Sequence, residues 1–355
     1  MSTNDTFSKT LNIWYLKNKR DLPWRKTRNP YTIWLSEIIL QQTKVSQGTP
    51  YFLKFINKYP NVSSLAKARE GDILKLWQGL GYYSRARNLH KTAIYICENN
   101  KGIFPNNHKD LLKLYGVGDY TASAIASICF NEATATIDGN VFRLLSRKFG
   151  IFTPIDSTVG FKEFKSLAQI LLDKDNPGNH NQALMEFGAL ICTPKIPKCN
   201  ECPFSTSCYG KNNHAIEQLP QKSKKVKIRK RYFNYLVFQN QSNRTVISPR
   251  NGKDIWKNLY EFPLIESMSE IDFENLAGDE TFQSLLAKKD YHISKYNEKP
   301  LKHKLTHQHL YCTFWIIHTN LKKNKSIAWE KLNTFAVPTL IQNFIDNYKK
   351  SDYFL

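Results

Sequence analysis

The chain has 355 residues, 41% of them hydrophobic, enough for two domains with buried cores. Its formal net charge of +21 suits a polyanionic partner, nucleic acid before a membrane surface. No apolar run approaches the ~18 residues that span a bilayer, and the N-terminal stretch lacks the basic-then-apolar pattern of an export signal.

Apolar positions at Phe7, Leu11, Trp14 and Tyr15 predict an amphipathic helix over 7–19. A turn follows, Arg20-Asp21-Leu22-Pro23-Trp24-Arg25, with polar and aromatic groups close together. Pro30-Tyr31 opens a largely buried helix through YTIWLSEIILQQTKV. Glu37 sits inside that apolar run. A carboxylate there is paired or functional, or it faces solvent beside Ser36 and Gln41. Burial would raise its pKa and keep it protonated, as a general acid requires. Helices are expected at about 49–58 and 70–78. The run from Gly79 to Asn88 holds two glycines, a tyrosine pair and two arginines. It suits either a loop that wedges into a duplex or a plain helix start with tyrosine in the core.

Helices at about 88–99 and 108–115 lead to a short turn, Gly116-Val117-Gly118. A helix from Tyr120 to about Phe130 follows on a 3.6-residue period. Glycines permit a tight turn and close backbone approach, and the free N–H groups of the helix start favour a phosphate. This is the pattern of a helix-hairpin-helix, which grips a DNA backbone without reading sequence. Asp138 precedes another helical run, VFRLLSRKF, and reads equally well as that helix's cap or as a catalytic group.

Further helices are expected at about 141–149, 158–173 and from Asn181 to Ile191. Four of the seven cysteines, Cys192, Cys199, Cys202 and Cys208, are spaced C-x6-C-x2-C-x5-C. That density suits Zn²⁺ or an iron–sulfur cluster, and spacing alone does not choose. Lys195 and Lys198 lie between the first two ligands, where a closed site would hold them toward phosphate. Residues 1–210 thus read as nearly all helix. Residues 211–231 form a basic linker, with seven Lys or Arg from Lys222 to Arg231, a solvated tether or a contact with DNA backbone. In residues 232–355 the pattern turns to strands. RYFNYLVFQN and NRTVISPR are joined by the polar turn Gln241-Ser242-Asn243; KLTHQHLYCTFWIIHTN reads as one long strand and AVPTLIQNFIDNY as a closing helix.

The recurring pieces are Leu22-Pro23-Trp24-Arg25, Trp34-Leu35-Ser36-Glu37, Leu40-Gln41-Gln42-Thr43, Gly79 to Asn88, the hairpin, Asp138-Gly139-Asn140 and the four cysteines. In this order they resemble the adenine DNA glycosylases of the MutY type, in the helix-hairpin-helix superfamily. The resemblance implies an all-α catalytic domain, a six-helix barrel plus an iron–sulfur module, followed by an α+β Nudix-like domain. It implies a monomer acting in the cytoplasm, on the nucleoid, on double-stranded DNA with adenine opposite 8-oxoguanine or guanine. It makes the cluster [4Fe–4S], held by Cys192, Cys199, Cys202 and Cys208. Glu37 would be the general acid and Asp138 the stabiliser of the sugar cation, with Tyr120 and Asn140 supporting them. Arg20, Leu22, Trp24, Arg25 and Gln182 would line the adenine pocket. Gln41, Gln42 and Tyr82 would prop the disturbed duplex, while Arg85, Gly116, Gly118, Lys195 and Lys198 meet its backbone. Leu305, Thr306 and His307 stand where the family has Phe-Ser-His and would read 8-oxoguanine.

An endonuclease III-like pyrimidine glycosylase and AP lyase is the nearest alternative. Such relatives carry a lysine where Tyr120 stands, and its amine forms the Schiff base that strand cleavage needs; a monofunctional glycosylase is therefore expected. The alternative from another class, a non-catalytic DNA-binding protein with a structural zinc site, leaves the placement of Glu37 and Asp138 without a reason.

Overall fold

The computed structural model describes residues 3–223, 228–286, 290–320, 322 and 326–350. The basic residues at 224, 225 and 227 of the expected linker lie outside them. Backbone packing divides the chain into two units, Met1–Ala68 with Arg87–Lys224, and Arg69–Ala86 with Lys225–Leu355.

In the first unit, α1 (Thr3–Asn18), α2 (Pro30–Leu40), α3 (Val45–Lys58) and α4 (Val62–Ala66) precede the excursion into the second unit. The excursion carries α5 (Glu70–Trp77), and α6 (Ser84–Asn100) leads the chain back. Then come α7 (His108–Leu111), α8 (Asp119–Phe130), α9 (Gly139–Phe149), α10 (Thr158–Leu171), α11 (Pro177–Leu190) and α12 (Tyr209–Asn212). Local chemistry sets several ends. The Asn29 side chain accepts from the N–H groups of Tyr31 and Thr32, and Pro30 supplies a pre-set φ at the first helical position of α2. The Asp138 side chain caps α9 by accepting from Asn140 and Val141. The expected helix at 108–115 is confined to the four residues of α7, because the hairpin turn begins at once, and α4 carries no periodic signal long enough to read.

The core of this unit joins α1, α9, α10 and α11 through Leu11, Val141, Leu145, Phe164, Leu184 and Phe187, all fully buried. Each such side chain contributes about 1.5–3 kcal/mol. Gly188 lets α11 approach the start of α9: a Cβ there would stand 2.7 Å from the Asn140 carbonyl oxygen.

In the second unit the strands are β1 (Arg229–Gln239), β2 (Arg244–Thr245), β3 (Ser248–Pro249), β4 (Tyr260–Glu261), β5 (Leu264–Ser267), β6 (Tyr291–Lys295), β7 (Leu301–Lys304), β8 (Gln308–Thr319) and β9 (Ile327–Ala328). The helices are α13 (Phe273–Ala277), α14 (Glu280–Leu286) and α15 (Thr339–Tyr348). The main sheet runs β5-β1-β8-β6, with β7 also paired to β8. Its centre is the parallel pair β1–β8, in register from Arg229 opposite Gln308 to Gln239 opposite His318. Both faces are covered. Leu236, Phe238, Trp315 and Ile317 pack on Leu276 and Phe282 of α13 and α14. On the other face Tyr235 stacks on Phe314, which stacks on Phe344 of α15 at 3.9 Å. A strand buried on both sides reads as a nearly unbroken apolar run, as LVF does in β1.

The polar turn expected at Gln241-Ser242-Asn243 is present, the Asn243 N–H bonding to Asn240 O, and it leads from β1 to β2, which pairs with β9. One expectation needs correction. The expected long strand over KLTHQHLYCTFWIIHTN breaks at residues 305–307, which turn the chain from β7 into antiparallel pairing with β8.

Candidate active site

A cavity of about 900 Å³ opens in the first unit, within the range of about 300–1,000 Å³ typical of small-ligand sites. Its walls bring together Glu37 of α2, Tyr120 of α8, Asp138 and Asn140 at the start of α9, and Gln182 of α11. The turn before α2 adds Arg20, Leu22, Trp24 and Arg25, and Gln42 lies at its edge.

Glu37 is 7% exposed, so the solvent-facing alternative falls. The Tyr120 hydroxyl donates to its Oε2 at 2.6 Å. Burial pushes the Glu37 carboxyl up to about 7; the Tyr120 hydrogen bond pulls it down, the Asp138 charge pushes it up and Arg25 pulls it down. A group poised there holds a proton near neutral pH and can release it.

Asp138 is a cap and a pocket wall at once. Its Oδ1 accepts the backbone N–H groups of Asn140 and Val141, each at 2.9 Å, and its Oδ2 accepts the Asn140 side-chain amide at 2.7 Å. Burial raises its carboxyl, against these three donors and the Arg143 charge, which favour the anion. Asn140 is itself held, because its Oδ1 accepts from Arg143 at 2.9 Å.

Two pocket residues escaped the sequence reading. Glu186 on α11 is 1% exposed and clamps Arg20 and Arg25, with N···O contacts of 2.6 and 2.8 Å. Burial pushes its carboxyl up, but the hydrogen bonds from Arg20 and Arg25 outweigh that and hold it well below the usual range. Arg143 on α9 donates to the carbonyls of Cys192 and Gly188, both at 2.6 Å, as well as to Asn140. Each is a charge inside an apolar helical run, the signal that singled out Glu37.

The turn before α8 holds Gly116 at φ 73°, where a Cβ would stand 2.9 Å from that of Asn88. Gly118 has ordinary extended backbone and open space where a Cβ would be. Gln41 donates to the Thr121 hydroxyl at 3.2 Å, and exposed Gln42 lies at φ 54°. The four cysteines line one small cavity with Arg147, Lys148 and Phe204. Among the described residues no three acid, histidine or cysteine side chains converge on a single metal point. Lys195 and Lys198 are exposed on the loop above, Lys198 3.6 Å from Glu201.

The remaining candidates lie in the second unit. Tyr82 is 42% exposed at φ 47°, whereas Tyr83 is buried; the expected packing of tyrosine in the core holds for Tyr83, and Tyr82 is accessible. The Tyr82 hydroxyl hydrogen-bonds the Thr306 hydroxyl. Arg85 does not reach outward: it is buried, its guanidinium donates to the carbonyls of Leu80 and Gly81 and lies 5.0 Å from the Trp77 ring. Leu305 and His307 share the turn with Thr306, the Leu305 N–H bonding to Gln308 O and the His307 carbonyl accepting from Arg229.

Residues 35–173 match the HhH-GPD superfamily of base excision DNA repair proteins, and residues 234–347 match the NUDIX domain family. The adenine DNA glycosylase of Buchnera aphidicola subsp. Baizongia pistaciae (strain Bp) is 36% identical, the match covering 98% of each chain. That of Homo sapiens is 42% identical over 60% of this chain and 41% of its own. The solved structure of a thermostable thymine-DNA glycosylase is 31% identical with a TM-score of 0.55, covering 59% of this chain and 97% of that one.

Proposed function

Because the chain belongs to the adenine DNA glycosylases, base excision repair enzymes that hydrolyse N-glycosyl bonds, we propose that its substrate is adenine opposite 8-oxoguanine or guanine in duplex DNA, with Glu37 and Asp138 as the catalytic pair. The observation that carries this reading is the pairing itself: a buried carboxyl poised near neutrality and a second carboxylate held by three N–H donors, in one pocket.

The adenine must leave the stack to enter the pocket. Arg20, Leu22, Trp24, Arg25 and Gln182 then surround it. Glu37 gives its proton to N7 as the C1′–N9 bond breaks and the bonding pair leaves with the base. The transition state is oxocarbenium-like, as in glycoside hydrolysis, and the Asp138 carboxylate stabilises the positive sugar. Water adds at C1′ and its proton returns to Glu37. Tyr120 orients Glu37, and Asn140 orients Asp138. Tyr120 carries no amine for a Schiff base, so the product is an intact strand with an abasic site.

Gln41, Gln42 and Tyr82 fill or prop the vacated duplex, and Thr306, with Leu305 and His307 beside it, reads the opposite base. Thr306 can accept from the N7–H of 8-oxoguanine or donate to its O8, neither of which guanine offers. Gly116, Gly118, Lys195 and Lys198 meet phosphates. Arg85 serves this surface indirectly, by holding the carbonyls of the Tyr82 loop. The functional division is a glycosylase domain over 1–210, a basic linker over 211–231 and a lesion-reading domain over 232–355, in a monomer of the cytoplasm.

The cysteine site fits a [4Fe–4S] cluster. Cys192, Cys199, Cys202 and Cys208 line one cavity, a four-thiolate donor set that accepts either Zn²⁺ or such a cluster, and the family resemblance favours the cluster. When bound, the cluster supplies a rigid anchor for the loop bearing Lys195 and Lys198.

The test is a single-turnover assay on duplexes with adenine opposite 8-oxoguanine, guanine and thymine, with and without alkali. Adenine release with breaks only after alkali is expected. Asp138→Asn should abolish release while duplex binding survives, and near-normal turnover in that variant would leave Asp138 a helix cap only.

A further inference from the structure

We propose that Glu186 is a positioning residue that pins Arg20 and Arg25 at the adenine pocket and shields Glu37 from their positive charge. The proposal rests on the reading of Glu37 as the acid.

Glu186 stands four residues after Gln182 on α11, so the two share a helix face. Its oxygens receive five N–H donors: Arg20 N and Nε at 2.9 Å and Nη2 at 2.6 Å, and Arg25 Nη1 at 2.9 Å and Nη2 at 2.8 Å. A carboxylate offers about four lone-pair sites, so Glu186 has no capacity left to read a base. Whatever it does for catalysis it does through the two arginines. Arg25 also donates to the Arg20 carbonyl at 3.1 Å and lies over the Tyr15 ring. The clamp therefore fixes one guanidinium against the other, and a single carboxylate offsets two positive charges.

That balance matters at Glu37. The groups that face it are Tyr120 and Cys129 from α8, Asp138 and Arg143 around the start of α9, and Arg25, with Arg20 and Glu186 behind. Arg25 is the cation that acts on Glu37. Without Glu186 two guanidiniums would share one partly dry wall with no counter-charge, and Arg25 would favour the ionised form of the acid.

The experiment is the pH profile of the single-turnover base-release rate at saturating enzyme, on adenine opposite 8-oxoguanine. The rate falls at high pH as the acid deprotonates. Glu186→Gln should move that limb down by about one pH unit, the low end of the ~1–3 units an adjacent opposite charge produces. Arg25→Met should move it up, and Glu186→Asp should leave it near the wild-type position. A purely structural role gives lower rates with an unmoved limb, and in folded Glu186→Gln, judged by circular dichroism and duplex binding, that result overturns the proposal. If Glu186→Gln does not fold, an unmoved or lowered limb in Arg25→Met overturns it instead. Glu37→Gln run alongside separates the two readings: if that variant stays active, the acid assignment fails; if it is inactive and the limbs do not move, only Glu186's role fails.

Discussion

Replacing Glu37 by glutamine should stabilise the fold while it disables the enzyme. A carboxyl whose pKa is raised on folding favours the folded state only while protonated. Its contribution is intact below the unfolded value of 4.5 and is lost as the pH rises through about 7. The interval between 4.5 and about 7, at about 1.4 kcal/mol per pH unit, sets an upper limit of about 3 kcal/mol at pH 8. Glutamine keeps an oxygen to accept from Tyr120 and never ionises. With relaxation of the pocket, we expect a gain of about 2 kcal/mol, or about 4–8 °C in the melting of the helical unit at about 2–4 °C per kcal/mol. The assay is thermal unfolding of both proteins at several pH values from 4 to 8. The advantage should be absent at pH 4, grow through the titration and level off above about 7. In the same variant base release should fall by at least the ~10²-fold typical of a lost general acid. A melting difference that is zero at pH 8, or the same at every pH, would refute the reasoning.

Tyr120→Lys should add some strand-nicking activity, since the amine would stand in the pocket where the sugar must sit; absence of any borohydride-trapped adduct counts against that placement. Thr306→Ala loses the Tyr82 contact and, on the proposed reading, one contact to 8-oxoguanine, so the preference for the lesion over guanine should drop by no more than about tenfold, the worth of one net hydrogen bond. The rate ratio on the two duplexes measures it. His180 is fully buried with no hydrogen-bond partner for either ring nitrogen among the described residues, and burial pushes it down to about 4 although Asp173 pulls the other way. Its neutral form supports the fold above the ordinary 6.5, and that support is lost as the pH falls toward 4. His180→Phe should therefore raise the melting temperature and flatten its decline across that interval; an unchanged acid slope would sink the idea.

Much of the fold and of the pocket is legible in the sequence. Glu37 stood out because a carboxylate in an apolar helical run needs a reason, and the glycine turn and cysteine spacing are local signals. Glu186 carries the same signal in NQALMEFGALI, but its partners Arg20 and Arg25 lie more than 160 residues away, so nothing nearby explains it. The strand β1 was legible from its apolar content. Its partner was not, because polar turn residues after Gln239 mark a turn and do not say which strand comes next to which. The break at Leu305-Thr306-His307 has no glycine or proline to mark it. Arg85 looked like a phosphate contact by composition; only the loop's geometry turns its guanidinium inward.

The excursion of residues 69–86 into the second unit has a consequence for synthesis. Glu70 bonds to Asn258, Lys75 to the Phe335 carbonyl, Gln78 to Gln342 and Tyr82 to Thr306. None of these partners exists when the segment leaves the ribosome. The parallel neighbour of β1 is also far downstream, so the sheet has high contact order and forms late. At about 5–20 residues per second, the segment waits on the order of ten seconds to a minute for its partners. A chain cut at residue 231 would wait indefinitely. Tyr82 would then lack the hydroxyl that holds it, and α5 the groups that fasten it. Severing the C-terminal domain to isolate a minimal glycosylase therefore removes part of the N-terminal chain's own scaffolding, and a nascent chain stalled there is a natural client for chaperones.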